Sequence, residues 1–221
     1  MIMFNETLTT LDPEFDALLA DFDRTAMQRH KGTIYGLWPD LTLAYMNSAW
    51  TSFSEDNGGE SKIGSAWNLG RHILAAMSGP LRPFYAENYR RCLAEDRPWE
   101  HVYECPSATL YRQLHMTVFP LGQGEGFLVI NSLRQESAHP GIASSPLREL
   151  YENEHGHLVQ CSHCRRVRRA GEDQHWDWVP DWVATQPGNT SHGLCEPCVG
   201  FYYSDQRMDG SGFAIPFQAN V

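Results

Sequence analysis

The pattern of hydrophobic and polar positions changes its period along the chain. Near the N-terminus, hydrophobic residues recur at the three- and four-residue spacing of an amphipathic helix: Leu11, Phe15, Leu18, Leu19 and Phe22. Asp12 suits the N-cap of this helix, and Pro13 suits its first helical position. We therefore predict one helix of about four turns within residues 1–29. Its apolar face covers another face of the same chain or, alternatively, forms a dimer contact.

Short elements are predicted next. Two β-rich runs lie on either side of Pro39 and Asp40, which predicts a hairpin. Asn47 suits the N-cap of a helix that carries Trp50 and Phe53. The segment SAWNLGRHILAAM is predicted to be helical in part. A longer helix then follows in LRPFYAENYRRCLAEDRP, and one face of it is formed by Leu81, Tyr85, Tyr89 and Cys92. Its end is marked by Pro98.

Three strands are predicted after the long helix, in WEHVYEC, LYRQLHMTVFPL and GFLVINSLR. In the second run, Leu114, Met116 and Val118 alternate with polar residues, the period of a half-buried strand. GQGEG predicts a hairpin turn between the last two strands. Strands at both ends with helices between them indicate an antiparallel five-stranded sheet with helices on one face, an α+β domain.

This order of elements resembles that of PAS domains, the sensory modules of many bacterial signalling proteins. The resemblance covers residues 30–136 and is carried by GLWPDLTLAYMNSAWTSF, by LRPFYAENYRRCL and by ECPSATLYRQLHMTVFPLG leading into GFLVINSLR. It is strongest to a bacterial subgroup in which a cysteine-containing strand leads into an arginine-bearing strand that ends in Pro-Leu. The residues that match this pattern are Cys105, Arg112, Pro120 and Leu121.

The resemblance implies a pocket between the sheet and the helices that binds a small ligand. Candidate lining residues are Trp38, Trp50, Tyr85, Tyr89, Arg112, His115, Met116 and Asn131, although the same residues also suit an ordinary core. Arg112 shares a face with Leu114, so its charge needs either an internal carboxylate or an anionic ligand. A haem would need an axial histidine, for which His72 and His115 are the nearby candidates.

Cysteine spacing carries the clearest chemistry in the chain. Two Cys-x-x-Cys pairs, Cys161 with Cys164 and Cys195 with Cys198, supply the four thiolates of a tetrahedral zinc site. Iron or redox disulfides are the alternatives, and His163 or His192 is a candidate to replace a cysteine as ligand. Four arginines beside the first pair favour the thiolate forms or, alternatively, contact nucleic acid: Arg165, Arg166, Arg168 and Arg169.

The segment 157–204 also has a family resemblance. CSHCRRVR, then tryptophans, then SHGLCEPC resembles a cysteine module attached to PAS and receiver domains in bacterial signalling proteins. The resemblance implies one structural zinc ion, and we expect Trp176, Trp178 and Trp182 to form the small core. Residues 137–156 are predicted to be a linker with a short helix capped by Ser145, and residues 205–221 to be a C-terminal tail.

Composition narrows the class of function. The net charge of −10 opposes non-specific attraction to nucleic acid and to anionic membranes. The longest apolar run, FLVI, is too short to cross a bilayer, and no signal peptide is apparent, so we expect a cytoplasmic protein. No catalytic motif is recognisable.

We therefore expect a sensor or adaptor that relays by contact with a signalling protein or as a homodimer. The alternatives are a zinc-dependent nucleic-acid-binding regulator and a haem- or flavin-binding PAS sensor.

Overall fold

The computed structural model describes residues 10–50, 52 and 67–203, and within them the fold is mixed α+β. A five-stranded antiparallel sheet has the order β2-β1-β5-β4-β3. Its strands are β1 (Ile34–Leu37), β2 (Leu43–Met46), β3 (Trp99–Glu104), β4 (Leu110–Leu121) and β5 (Gly126–Ala138). The predicted hairpin and the three later strands are thereby confirmed, and β5 reaches two residues into the predicted linker.

Five α-helices have described bounds: α1 (Arg24–Arg29), α2 (Leu81–Glu95), α3 (Arg148–Tyr151), α4 (Pro180–Ala184) and α5 (Glu196–Tyr202). Two 3-10 helices, Phe15–Leu19 and Ile73–Ala76, accompany them. The long predicted helix is α2, and Tyr85, Tyr89 and Cys92 on its predicted face are buried. The predicted cap of α3 is wrong, because its N-cap is Leu147 and Ser145 instead accepts the Leu147 N–H at its carbonyl.

The chain divides into two compact units, and their boundaries cut across several elements. The first unit consists of Met1–Ala76, Glu87–His101 and Met116–Ser132, and the second of Met77–Ala86, Val102–His115 and Leu133–Val221. The finer domain boundaries after residues 29, 136, 156 and 204 stay a prediction. Phe53 and residues 205–221 lie outside the described residues. Among the described helices, none has the length and hydrophobicity needed to cross a membrane.

The N-terminal helix prediction is wrong in length. A 3-10 helix and α1 replace the expected four continuous turns, and the chain turns between them before Asp23 caps α1 by accepting the Ala26 N–H at 2.9 Å. Aspartate favours this role because its side chain competes with helix continuation for backbone donors. The predicted burial is confirmed, since Phe15 and Leu19 lie in the core of the first unit.

The missing side chain of Gly36 in β1 leaves space for the N-terminal segment to pack closely on the strand. A Cβ atom on Gly36 would lie 2.3 Å from the Phe15 ring, so only glycine lets this ring reach the strand. The Phe15 ring packs edge-on against Trp38 with centroids 5.0 Å apart. Residues 10–12 continue along β2, where Asp12 N–H donates to Ala44 and Met46 N–H donates to Thr10. The N-terminal segment is therefore part of the folded unit.

Asn47 joins several backbone segments of the first unit. Its Oδ1 accepts the N–H groups of Ile34 at 3.0 Å and of Trp50 at 3.2 Å, which confirms the predicted N-cap. Its Nδ2 donates to the carbonyls of Met27 and Gly32 at 3.1 and 3.0 Å. Asn47 is fully buried, so no water replaces these bonds when the side chain is removed.

The second unit contains a small mixed sheet with the order β8-β7-β6-β9. Its strands are β6 (Leu158–Cys161), β7 (Val167–Arg168), β8 (Trp176–Asp177) and β9 (Thr190–Gly193). The apolar cluster beside it consists of Tyr151, Leu158, Val167, Val179 and Trp182. The predicted tryptophan core is correct for two of its three members, because Trp182 lies in this cluster and Trp178 is buried, where it stacks on His139 with ring centroids 3.4 Å apart. Trp176 is only half-buried.

The substitution Asn47→Ala is expected to destabilise the first unit by about 2–4 kcal/mol, because it leaves buried backbone donors and acceptors without partners. Chemical denaturation followed by tryptophan fluorescence measures this change. Asn47→Asp is the graded comparison, since it keeps the two acceptor bonds and loses the two donor bonds. A loss below about 0.5 kcal/mol for Asn47→Ala, the range of an ordinary surface change, contradicts the assigned role.

Candidate metal centre

Two short parallel strands bring the cysteine pairs together. β6 and β9 pair in parallel, with Cys161 opposite Gly193, so both cysteine turns leave the same end of the sheet. Cys161 ends β6, and its turn closes when Arg165 N–H donates to the Cys161 carbonyl at 3.1 Å. Arg165 takes a left-handed φ of 64° there. Cys195 is the N-cap of α5, and the first turn of this helix carries Cys198.

The four sulfurs form a compact set. All lie within 4.8 Å of one another, and Cys164 Sγ is 3.6 Å from Cys195 Sγ. A metal about 2.3 Å from each of four sulfurs at tetrahedral angles sets them about 3.8 Å apart. A disulfide needs about 2.0 Å, and all of the cysteines are free. The predicted four residues, which are all buried, therefore fit one tetrahedral metal ion.

The electrostatics of the set also favour a bound cation. Cys161 Sγ accepts the Cys195 N–H at 3.4 Å. Although burial opposes its ionisation, hydrogen bonds from its neighbours lower the pKa of Cys161 well below that of an ordinary thiol. Donation to the Cys161 sulfur raises the pKa of Cys164 and of Cys198. The Cys161 thiolate is thus stabilised at the expense of Cys164 and Cys198, and a bound metal ion would stabilise all of the thiolates together.

His163 does not belong to the ligand set. Its Nε2 accepts the Glu104 N–H at 2.9 Å, which leaves the proton on Nδ1 for donation to Tyr203 Oη at 2.6 Å. Burial lowers the pKa of His163 to about 4, so the ring is neutral at neutral pH. His192 is also engaged elsewhere, because its Nε2 lies 2.9 Å from the Gln186 amide nitrogen. Both ring nitrogens of His163 and Nε2 of His192 thus have protein partners.

The four arginines divide into two groups. Arg168 pairs with Asp173 at 3.0 Å, and Arg169 pairs with Asp177 at 2.7 Å. Although burial works in the opposite direction, the hydrogen bonds from Arg169 and Tyr151 lower the pKa of Asp177, which keeps this carboxylate charged. Partial burial raises the pKa of Cys105 and of Glu104, and the positive charges of Arg165 and Arg166, respectively, act against this rise.

Three of the predicted pocket residues come together in the first unit, around Tyr35. The Trp50 ring packs against the Tyr35 ring at 5.0 Å, and Tyr89 Oη lies 3.4 Å from Tyr35 Oη. Asn131 hydrogen-bonds Tyr35 and donates to Thr33 Oγ1 at 3.1 Å. Burial raises the pKa of Tyr35, so its hydroxyl is protonated and able to donate. Whether a ligand reaches this polar cluster stays a prediction.

Of the other predicted pocket residues, Tyr85, Arg112 and His115 belong to the second unit. Arg112 is expected from the sequence to pair with either an internal carboxylate or an anionic ligand. The internal carboxylate is present, since Arg112 Nε donates to Glu136 Oε2 at 2.7 Å. The Arg112 side chain is 15% exposed and the Glu136 side chain 44%, so this ion pair lies at the protein surface. The charge on this strand therefore needs no external anion.

Sequence reasoning missed a second group of residues beside the metal site. Tyr202 Oη donates to Glu104 Oε1 at 2.7 Å, and Gln113 Nε2 donates to Tyr202 Oη at 3.2 Å. The Tyr202 ring stacks on His163 with centroids 4.1 Å apart. Burial raises the pKa of Glu104 and of Tyr202. The only signal in the sequence is the aromatic pair Tyr202–Tyr203, which follows the last cysteine.

No protein-family model and no curated protein matches the chain. Among solved structures, it is similar to the PAS domain of BvgS from Bordetella pertussis, with 18% identity and a TM-score of 0.37 over 51% of this chain and 82% of that one. It is also similar to the PAS domain of an HTR-like protein from Haloarcula marismortui, with 23% identity and a TM-score of 0.31 over 49% of this chain and 86% of that one. Likenesses of this size concern the fold alone.

The substitution Cys195→Ser is expected to reduce the bound metal from one ion per chain to near zero, since a structural site needs all four thiolates. Elemental analysis of protein purified without chelator measures the content and identifies the metal. The matched control is Cys105→Ser, which removes another free cysteine and is expected to keep the ion. Equal metal content in the two variants contradicts the assigned ligand set.

The substitution His163→Ala is expected to keep one metal ion per chain at saturating metal and to lower stability by about 2–4 kcal/mol. The loss follows from removing the acceptor of the Glu104 N–H and the ring that stacks on Tyr202. Native mass spectrometry reports the metal, and thermal unfolding at fixed metal concentration reports stability. A chain that loses its metal with this change would identify His163 as a ligand.

Proposed function

We propose that this chain is a bacterial cytoplasmic sensor or adaptor of signal transduction, without enzymatic activity. In this proposal an α+β domain of PAS type receives the signal, and the cysteine module relays it by contact with a signalling protein or a second copy of the chain. The module holds one zinc ion as a structural element. A small ligand of the α+β domain is the signal in the simplest version of this proposal.

The sensory part is supported by the order of elements. Two strands, short helices, one long helix and three strands follow one another in the order on which the sequence resemblance rests. The resemblance spans residues 30–136 and includes the arginine-bearing strand that ends in Pro120 and Leu121, which is β4. The polar cluster around Tyr35 is the best candidate for a signal-receiving site in the first unit, because it combines aromatic faces with a buried amide.

The closed sulfur set carries the proposal for the module. Four buried thiolates leave no open position for an activated water, so the site is of the structural rather than the catalytic type. Zinc is favoured because thiolate-only tetrahedral sites suit this ion and because zinc itself has no redox chemistry. The module then folds around its metal and presents a fixed surface, which is the property that a relay by protein contact needs.

The pairing of the arginines counts against a nucleic-acid-binding regulator. Two of the four, Arg168 and Arg169, already pair with acidic residues of the same unit. A phosphate-binding surface needs a surplus of positive charge, and the chain carries a net charge of −10. Retention on DNA or RNA columns that weakens with salt, and that is lost when Arg165 and Arg168 are replaced by Glu, would favour this alternative.

The relay is expected to depend on the folded module. Immobilised wild-type chain and Cys105→Ser are expected to retain the same signalling partner from host extract, while Cys195→Ser loses it. Light scattering after gel filtration measures the homodimer in parallel. A monomeric chain that retains the same proteins with and without an intact sulfur set contradicts the relay.

An absorption spectrum of the untreated protein distinguishes a haem-binding sensor, a flavin-binding sensor and a sensor of a colourless small ligand. A haem gives a Soret band, and a flavin gives its characteristic visible envelope. A spectrum with neither feature is expected, together with one zinc ion by elemental analysis. A Soret band or a flavin envelope would replace the small-ligand proposal with the cofactor that the spectrum identifies.

A further inference from the structure

The metal-binding turns of the second unit hold two segments that lie far from them in the sequence. One is the start of α2, preceded by Ser78 and Gly79, and the other is the strand pair formed by the end of β3 and the beginning of β4. We propose that the metal module is a latch, whose metal-dependent fold holds these two segments in place. This inference rests on the proposed structural metal, but not on the proposed signalling partner.

The first contact of the latch is at the start of α2. Ser162, which lies inside the first cysteine turn, donates from Oγ to the Ser78 carbonyl at 3.2 Å. Gly79 faces the strand that leads into the second cysteine pair, and a Cβ atom on it would lie 2.8 Å from the His192 carbonyl oxygen. Gly79 also has a left-handed φ of 53°, so glycine is required here for both reasons.

The second contact of the latch is at the strand pair. Glu104, the last residue of β3, is bound through both of its ends, because its N–H donates to His163 in the first cysteine turn and its carboxylate accepts from Tyr202 in α5. Gln113 of β4 adds a bond to the same Tyr202 hydroxyl. The bonds to Glu104 therefore come from both cysteine pairs, through a residue of one turn and a residue of the helix that carries the other.

Apolar packing completes the latch. Tyr203 is 1% exposed, and its ring packs edge-on against Phe84 of α2 with centroids 4.8 Å apart. Its hydroxyl accepts the His163 Nδ1 proton. Tyr203 thus connects the contact with α2 to the contact with the strand pair. It is the C-cap of α5, the helix whose N-cap is the ligand Cys195.

Loss of the metal is expected to release both held segments. Because the metal–sulfur bonds join the first cysteine turn to the second, the two turns are no longer held together when the metal leaves, and the contacts that need both turns are lost. The coupling is reciprocal: the factor by which metal binding favours the held arrangement is also the factor by which that arrangement raises metal affinity. A change that loosens the held segments therefore lowers the apparent metal affinity. A merely local zinc site would show neither effect.

Hydrogen exchange on the wild-type chain tests the latch without any substitution. Removal of the metal by a chelator is expected to increase exchange in residues 77–86 and 102–113, in addition to residues 158–203. The internal reference is the β1–β2 hairpin, residues 34–46, which is expected to keep its protection. An increase confined to residues 158–203 overturns the latch.

The reciprocal effect is tested by metal competition with a chromogenic chelator. Tyr202→Phe keeps the ring that stacks on His163 and removes one bond to the half-buried carboxylate of Glu104, so the apparent affinity is expected to fall about tenfold to a hundredfold. Gly79→Ala is expected to lower it as well, although residue 79 is remote in sequence from every ligand. Unchanged affinity in both variants overturns the latch.

The matched control is Glu196→Gln, which removes one negative charge beside the ligand Cys195, at an exposed position. Its affinity is expected to change by no more than about twofold, because the substitution breaks none of the latch contacts. A fall as large as that of Tyr202→Phe would show that metal affinity responds to any substitution in α5 and would overturn the latch. Failure to find a signalling partner leaves these outcomes unaffected, so the two proposals fail independently.

Discussion

Four buried sulfur atoms within 4.8 Å of one another define the constraint on which the second unit depends. Four thiolates at this distance repel one another, and four neutral thiols gain little attraction from being brought so close by the parallel strands. A metal ion bound by the four sulfurs would remove this conflict, and its binding energy would add to the folding energy of the segment. The contacts of Tyr202 and His163 depend on this cysteine set, because His163 lies within the first cysteine turn and Tyr202 lies in the helix that carries the second pair.

The first unit depends on a different kind of constraint, which is hydrogen bonding at a buried side chain. Asn47 satisfies backbone groups from the N-terminal helix, from β1 and from the helix that follows β2. Apolar residues such as Phe15 and Leu19 supply the burial, but they do not select among chain paths as a side chain with fixed donors and acceptors does. The two units are thus organised by chemically different centres.

Local signals made much of this structure predictable from the sequence. The spacing within each cysteine pair and the apolar period of α2 act over a few residues, so both were read correctly. The bond from Tyr202 to Glu104 joins residues 98 positions apart, and no pattern in one sequence reports such a pairing. The N-terminal helix was predicted too long because its apolar spacing continues through Phe22, while the competing role of Asp23 as a cap appears only in the backbone geometry.

The parallel pairing of β6 with β9 has a consequence for register. Each strand has only four residues, and such a short ladder discriminates weakly between one alignment and another. A slip by two residues keeps every side chain on its face, yet it moves one cysteine turn by about 6–7 Å relative to the other. No single ion would then reach all four sulfurs, so a bound metal would select one alignment among those that the ladder alone permits.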